Sequence, residues 1–180
     1  MLIYLQSEDF DAAAMTAALR ARAGSAAGAI ATFTGYVRDH SAEIETRSLF
    51  LEHYPGMCES VLRRIVDEAA SRWRVIDVAL AHRFGELAQG EQIVFVAVAS
   101  AHRADAFAAC EYIMDALKTR APFWKRETLA DGQAYWVQAR ESDQARADAW
   151  QAPTADGAEA PGTASTQTES AGQPVGKEQA

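Results

Sequence analysis

Residues 92–99, QIVFVAVA, are apolar at every position after the first. A strand that is apolar on both faces belongs inside a sheet covered on both sides. Ser100-Ala101-His102-Arg103 follows at once, and the spacing then predicts a long helix over 103–119, ended by Pro122. A central strand running straight into a long helix fixes the middle of the fold. The other segments have to be arranged around it.

Before that strand, residues 1–5 read as a first strand and 9–22 as an Ala-rich helix stopped by Gly24. Residues 28–36, rich in β-formers, predict a strand that leads into a polar loop over 38–45. Over 47–54 the residues alternate, with Leu49, Leu51 and His53 on one face and Phe50, Glu52 and Tyr54 on the other. Pro55-Gly56 breaks that strand. A helix over 57–73 follows, with Val61, Ile65, Ala69 and Trp73 along one stripe. Residues 75–83 predict another strand, and 85–90 a turn toward the central one.

After the long helix, Asp131-Gly132 marks a hairpin between strands over 125–129 and 135–139. Ser142 is placed to cap a last helix reaching Trp150. Cys110 lies on the long helix with Phe107 and Met114 and reads as core. Strands and helices mix without regular βαβ alternation, so the expected class is α+β, in one domain over residues 1–150. Residues 151–180 hold no aromatic residue and one large aliphatic, Val175. Such a stretch buries too little apolar area to offset its ordering entropy, and a disordered polar tail is expected there.

The 180 residues carry a formal net charge of −8, and the tail accounts for −3 of it. Yet cations gather at His102-Arg103 and again along Lys118-Thr119-Arg120-Ala121-Pro122-Phe123-Trp124-Lys125-Arg126-Glu127. An acidic chain of this kind suits a small anion better than a nucleic acid, whose binders usually carry a basic surplus. No apolar run is long enough for a membrane span, and Cys58 and Cys110 make no disulfide framework, so a reducing cytoplasm is expected. His53 and His82 lack metal-site spacing, and neither a P-loop nor a GxGxxG fingerprint is present. No metal and no cofactor are therefore expected.

Each cation also has an ordinary reading. Lys118 complements the helix dipole, His102 and Arg103 make a polar helix start, Arg38 is a loop residue and Lys125 an edge charge. Geometry adds a constraint. Arg103 and Lys118 are 15 residues apart on one helix, hence about 22 Å apart at 1.5 Å per residue. A small ligand does not reach both in one chain. Either one of them lies outside the site, or two copies of the helix meet in a symmetric homodimer with composite sites.

Taken together, these segments resemble the catalytic (large) subunits of molybdopterin synthase. The matching pieces are residues 33–38 (FTGYVR), 51–57 (LEHYPGM), 82–87 (HRFGEL), 100–103 (SAHR), 118–125 (KTRAPFWK) and 139–142 (ARES). Their order and spacing cover nearly all of residues 1–150, and KTRAPFWK is the most specific of them.

The resemblance implies an α/β-hammerhead type of fold and a homodimer at the centre of a heterotetramer. It implies a small ubiquitin-like sulfur carrier whose Gly-Gly C-terminus bears a thiocarboxylate, and cyclic pyranopterin monophosphate as substrate. Lys118 and Lys125 would be catalytic. Substrate contacts would come from the segment Tyr36-Val37-Arg38, from His102 and Arg103, from both lysines, and from the adjoining Arg126 and Glu127. Phe33, Met114 and Arg140 would form pocket wall, with Phe123 and Trp124 as further apolar candidates. Two other readings share the same cations: a non-catalytic module for phosphorylated metabolites, and a scaffold for a ubiquitin-like protein.

Overall fold

The computed structural model describes residues 1–38, 40–41, 44–137 and 141–151. Arg140 and the expected tail beyond residue 151 lie outside them. The described chain runs β1 (Leu2–Gln6), α1 (Ala12–Ala23), β2 (Ala29–Tyr36), β3 (His40–Ser41), β4 (Ile44–Glu52) and α2 (Met57–Arg72). It continues with β5 (Val75–Arg83), β6 (Gly85–Ala88), β7 (Gln92–Ser100), α3 (Arg103–Arg120), β8 (Trp124–Leu129), β9 (Ala134–Val137) and α4 (Glu141–Ala149). The α+β expectation holds.

β7 is central, as its composition demands. The first sheet has the order β1-β5-β7-β2, with β1 parallel to β5 and the other pairs antiparallel. Val94, Val96 and Val98 face α2 and α3, where they pack with Leu62, Ile65, Val66 and Ile113. Phe95, Ala97 and Ala99 face the other way, in a cluster with Phe10, Leu19 and Ala23 of the α1 layer. Small residues on that side let the Ala-rich α1 come close. Asp11 caps it, its Oδ1 accepting from the Ala14 N–H at 2.9 Å.

The second sheet has the order β3-β4-β8-β9, with β6 on the other side of β4 from β8. Gly85, at φ +87°, redirects the chain from β5 in the first sheet to β6 in the second. Residues 85–90 are expected as a turn. The structure corrects this: residues 85–88 pair with 48–51, a long-range contact that four residues beside two glycines do not announce. Beneath this sheet Val37, Leu49, Leu51 and Leu87 form a small core of their own.

Two other expectations are corrected. Phe107 on α3 is 66% exposed while Cys110 and Ile113 are buried, so it does not share their core. Ser142 lies inside α4, whose first residue is Glu141, and is not its cap.

A polar cluster anchors the end of α3 that matters most. Glu68 on α2 accepts from both terminal nitrogens of Arg120, at 2.6 and 2.7 Å, and from the Tyr112 hydroxyl at 2.7 Å. The Arg120 hydrogen bonds hold the Glu68 carboxyl at about 2. A carboxyl depressed on folding stabilises the fold above its unfolded value near 4.5, and that contribution is lost as pH falls toward 2. Wild type should therefore lose stability more steeply between about pH 4.5 and 2 than Glu68→Gln. Urea unfolding across that range checks it, and parallel pH curves for the two proteins would remove the anchor.

Candidate active site

α3 begins two residues after β7 and packs back across β7 and β2. Its last turns therefore lie at the sheet end where β7 starts and β2 finishes. Lys118 sits there, on the same helix face as Met114 four residues earlier. Met114 is half-buried against the main core, and the Lys118 side chain is 52% exposed. Its Nζ is 3.4 Å from Asp143 of α4. α4 is itself docked through Trp150, whose indole N–H donates to Asp115 at 2.9 Å and whose ring meets Trp73 and Tyr112 edge-on.

Pro122 ends α3, and Ala121-Pro122-Phe123 carries the chain into β8. This short connection is clamped from two sides. Phe123 stacks on His82, ring centroids 3.9 Å apart and planes 9° apart. The Cys58 thiol donates to the Pro122 carbonyl at 3.5 Å. His82 is buried, and burial pushes its imidazole down to about 4. It therefore stays neutral, and its Nδ1–H donates to the Arg83 carbonyl at 2.9 Å. Lys118 and Lys125 are thus held on either side of one rigid junction.

Lys125 points to the inner face of the second sheet. Its register partner there is Leu51, and Glu127, two residues on, is opposite Leu49. Val37 packs in the cluster of Leu49 and Leu51, and its backbone exchanges hydrogen bonds with Glu91 and Gly90 at 2.9 Å each. Those contacts bring the chain entering Arg38 against β4, the strand paired with the one that carries Lys125. Arg38 itself is exposed. Phe33, also exposed, has the same facing on β2 as Ala31, toward α3. A Cβ at Gly35 would stand 3.3 Å from the Phe33 ring and 2.9 Å from Val94, so glycine leaves room for that ring.

Other expected site residues lie elsewhere. The Val37 side chain is core, and its backbone N–H and carbonyl are taken by Glu91 and Gly90, so this residue serves to hold the chain that leads to Arg38. Arg126 follows Lys125, and strand alternation sends it to the opposite face. Its guanidinium carbon lies 5.0 Å from the Phe50 ring centroid and 5.9 Å from that of Trp136. Glu127 is buried and pairs with Lys125, Oε1 to Nζ 2.5 Å, so it addresses the lysine. Tyr36 is exposed beside a register shift in β2, and Trp124 is 57% exposed, which excludes a core role. His102 and Arg103 are exposed at the start of α3, the far end from Lys118.

Asp143 meets Lys118, His82 stacks on Phe123 and the Tyr135 hydroxyl donates to Glu127 at 2.8 Å, three neighbours that the sequence reading did not include. Their contacts come from tertiary pairing, and no local spacing announces them. Among the described residues no helix is long and apolar enough to cross a membrane.

The fold and site define an α+β protein with lysines at a helix–strand junction and further cations spread along one long helix. Residues 5–120 match the family model described as MoaE protein, and the chain belongs to the MoaE family. It is 57% identical over 123 residues to the molybdopterin synthase catalytic subunit of Escherichia coli K12, covering 68% of this chain and 81% of that one. The subunit of the same description from Pseudomonas aeruginosa is 49% identical over 151 residues, covering 84% and 99%. Among solved structures, the molybdopterin biosynthesis MoaE protein from Burkholderia ambifaria superposes with a TM-score of 0.71. It is 49% identical, with 84% of this chain and 99% of that one covered.

Proposed function

We propose that this chain is the catalytic subunit of a molybdopterin synthase, a sulfurtransferase of molybdenum-cofactor biosynthesis. It converts cyclic pyranopterin monophosphate to molybdopterin by two sulfur transfers from the C-terminal thiocarboxylate of a small ubiquitin-like carrier. Family membership supports the activity. The observation that carries the site is the clamped junction with Lys118 on one side and Lys125 on the other.

The reaction brings two anions together, a substrate phosphate and a donor thiocarboxylate. Unit charges 8 Å apart at an effective dielectric of 20 interact by about 2 kcal/mol, so clustered cations offset a repulsion of that order. Lys118 acts on the thiocarboxylate terminus and in the proton transfers of sulfur addition. Lys125 assists, restrained by Glu127. Arg38 binds the phosphate by charge-assisted hydrogen bonds, with His102 and Arg103 supplied by a second copy of the chain. Phe33 and Met114 line the pocket, and Arg140 is placed with them by the resemblance. With both residues in one site, the separation of about 22 Å between Arg103 and Lys118 calls for that second copy. The exposed Phe107, one turn along from Arg103, suits an end of α3 that the dimer covers.

The catalytic unit is residues 1–150, with 151–180 an appendage outside it. A cytoplasmic setting fits two free, buried thiols. Burial pushes the Cys110 thiol up to about 11 and raises that of Cys58 as well, which disfavours the reactive thiolate in both. Sulfur comes from the carrier, and a serine hydroxyl can still donate to the Pro122 carbonyl, so a folded Cys58→Ser/Cys110→Ser double variant should keep wild-type turnover. Loss of sulfur transfer in that variant would put a cysteine in the mechanism.

The assay is reconstitution with the thiocarboxylated carrier and cyclic pyranopterin monophosphate, reading dithiolene product. Formation of molybdopterin supports the proposal. Binding of both partners with no pyranopterin consumed would refute it in favour of a scaffold.

A further inference from the structure

We infer that Tyr135 is a positioning residue for Lys125, acting through the buried carboxylate of Glu127; this rests on the function proposed above. In the β8–β9 pair Glu127 stands directly opposite Tyr135, and Lys125 opposite Val137. Lys125 and Glu127 are two residues apart, so strand alternation puts both on one face. The Glu127 side chain is 3% exposed. Its Oε1 meets the Lys125 ammonium at 2.5 Å, and its Oε2 accepts from the Tyr135 hydroxyl at 2.8 Å.

A carboxylate engaged at both oxygens from different directions has its plane fixed. The last torsion of a carboxylate is broad, so each hydrogen bond lost from it widens the range it samples. Lysine is long and flexible, and its amine stays in one place only if its partner does. The Tyr135 hydroxyl therefore sets where Glu127 holds Lys125. It is a cross-strand support for a charged group, placed on the short outer strand of the second sheet.

Tyr135→Phe removes the hydroxyl and keeps the ring, so the hairpin remains paired. The test uses the full chain with the thiocarboxylated carrier and cyclic pyranopterin monophosphate. Misplacement of a reacting group by an ångström costs up to about a hundredfold in rate; we expect kcat to fall about five- to tenfold in Tyr135→Phe. KM for each substrate should stay within about twofold, because the hydroxyl is spent on Glu127. A double-mutant cycle separates positioning from general loosening of the sheet. In a Lys125→Ala background, measured by single-turnover product formation, Tyr135→Phe should change nothing further.

An unchanged kcat in Tyr135→Phe overturns the inference, as does an equal fall with and without Lys125. Wild type that forms no product overturns the functional reading and this inference together. Wild-type turnover with an unaffected Tyr135→Phe overturns this inference alone.

Discussion

Lys118→Ala should abolish nearly all product formation and leave the fold intact. Proton transfer by a positioned side chain contributes about a hundred- to ten-thousandfold in rate, and a loss in that range is expected. The stability change should be small for two reasons. The Lys118 ammonium lies half in solvent, 3.4 Å from Asp143, and exposed pairs of this kind contribute about 0–1 kcal/mol. Its favourable interaction with the helix dipole adds about 0.3–1 kcal/mol. The anchoring of this helix end rests on Arg120 and Glu68, which the substitution does not touch. Activity and unfolding should therefore separate cleanly. Wild-type turnover by Lys118→Ala would remove this residue from the mechanism.

Much of this was legible in the sequence for identifiable reasons. β7 and α3 were readable because a run apolar on both faces and a long uninterrupted helix leave few alternatives. β5 runs over residues 75–83 as expected, since its interior has no glycine or proline to blur its ends. β6 was missed because its four residues gain strand character from β4, more than thirty positions away. The exposure of Phe107 could not be read from helical spacing. Periodicity says which residues share a face, not how far along the helix that face stays covered.

The site divides in the same way. Lys118 and Lys125 are expected from the KTRAPFWK run, and they stand on either side of one junction. Arg126 and Glu127 were assigned to substrate by adjacency to Lys125. A strand sends neighbours to opposite faces, so Arg126 stacks on Phe50 and Trp136 instead. Glu127 keeps the facing of Lys125 but is buried, and burial is invisible to a motif. The His82–Phe123 stack joins residues from β5 and the α3–β8 connection, which no local pattern links.

In the proposed dimer each site takes its lysines from one chain and its His102-Arg103 from the other. Mixed dimers, Arg103→Ala on one chain and Lys118→Ala on the other, test it most directly. If sites are shared, one site collects both defects and its twin collects neither. The purified mixed dimer should then retain about half of wild-type turnover, while both parent homodimers remain near the floor set by losing a catalytic or phosphate-binding group. If each site is built from a single chain, every site in the mixed dimer carries one defect. Turnover of the mixed dimer no higher than that of the parent homodimers would contradict the account.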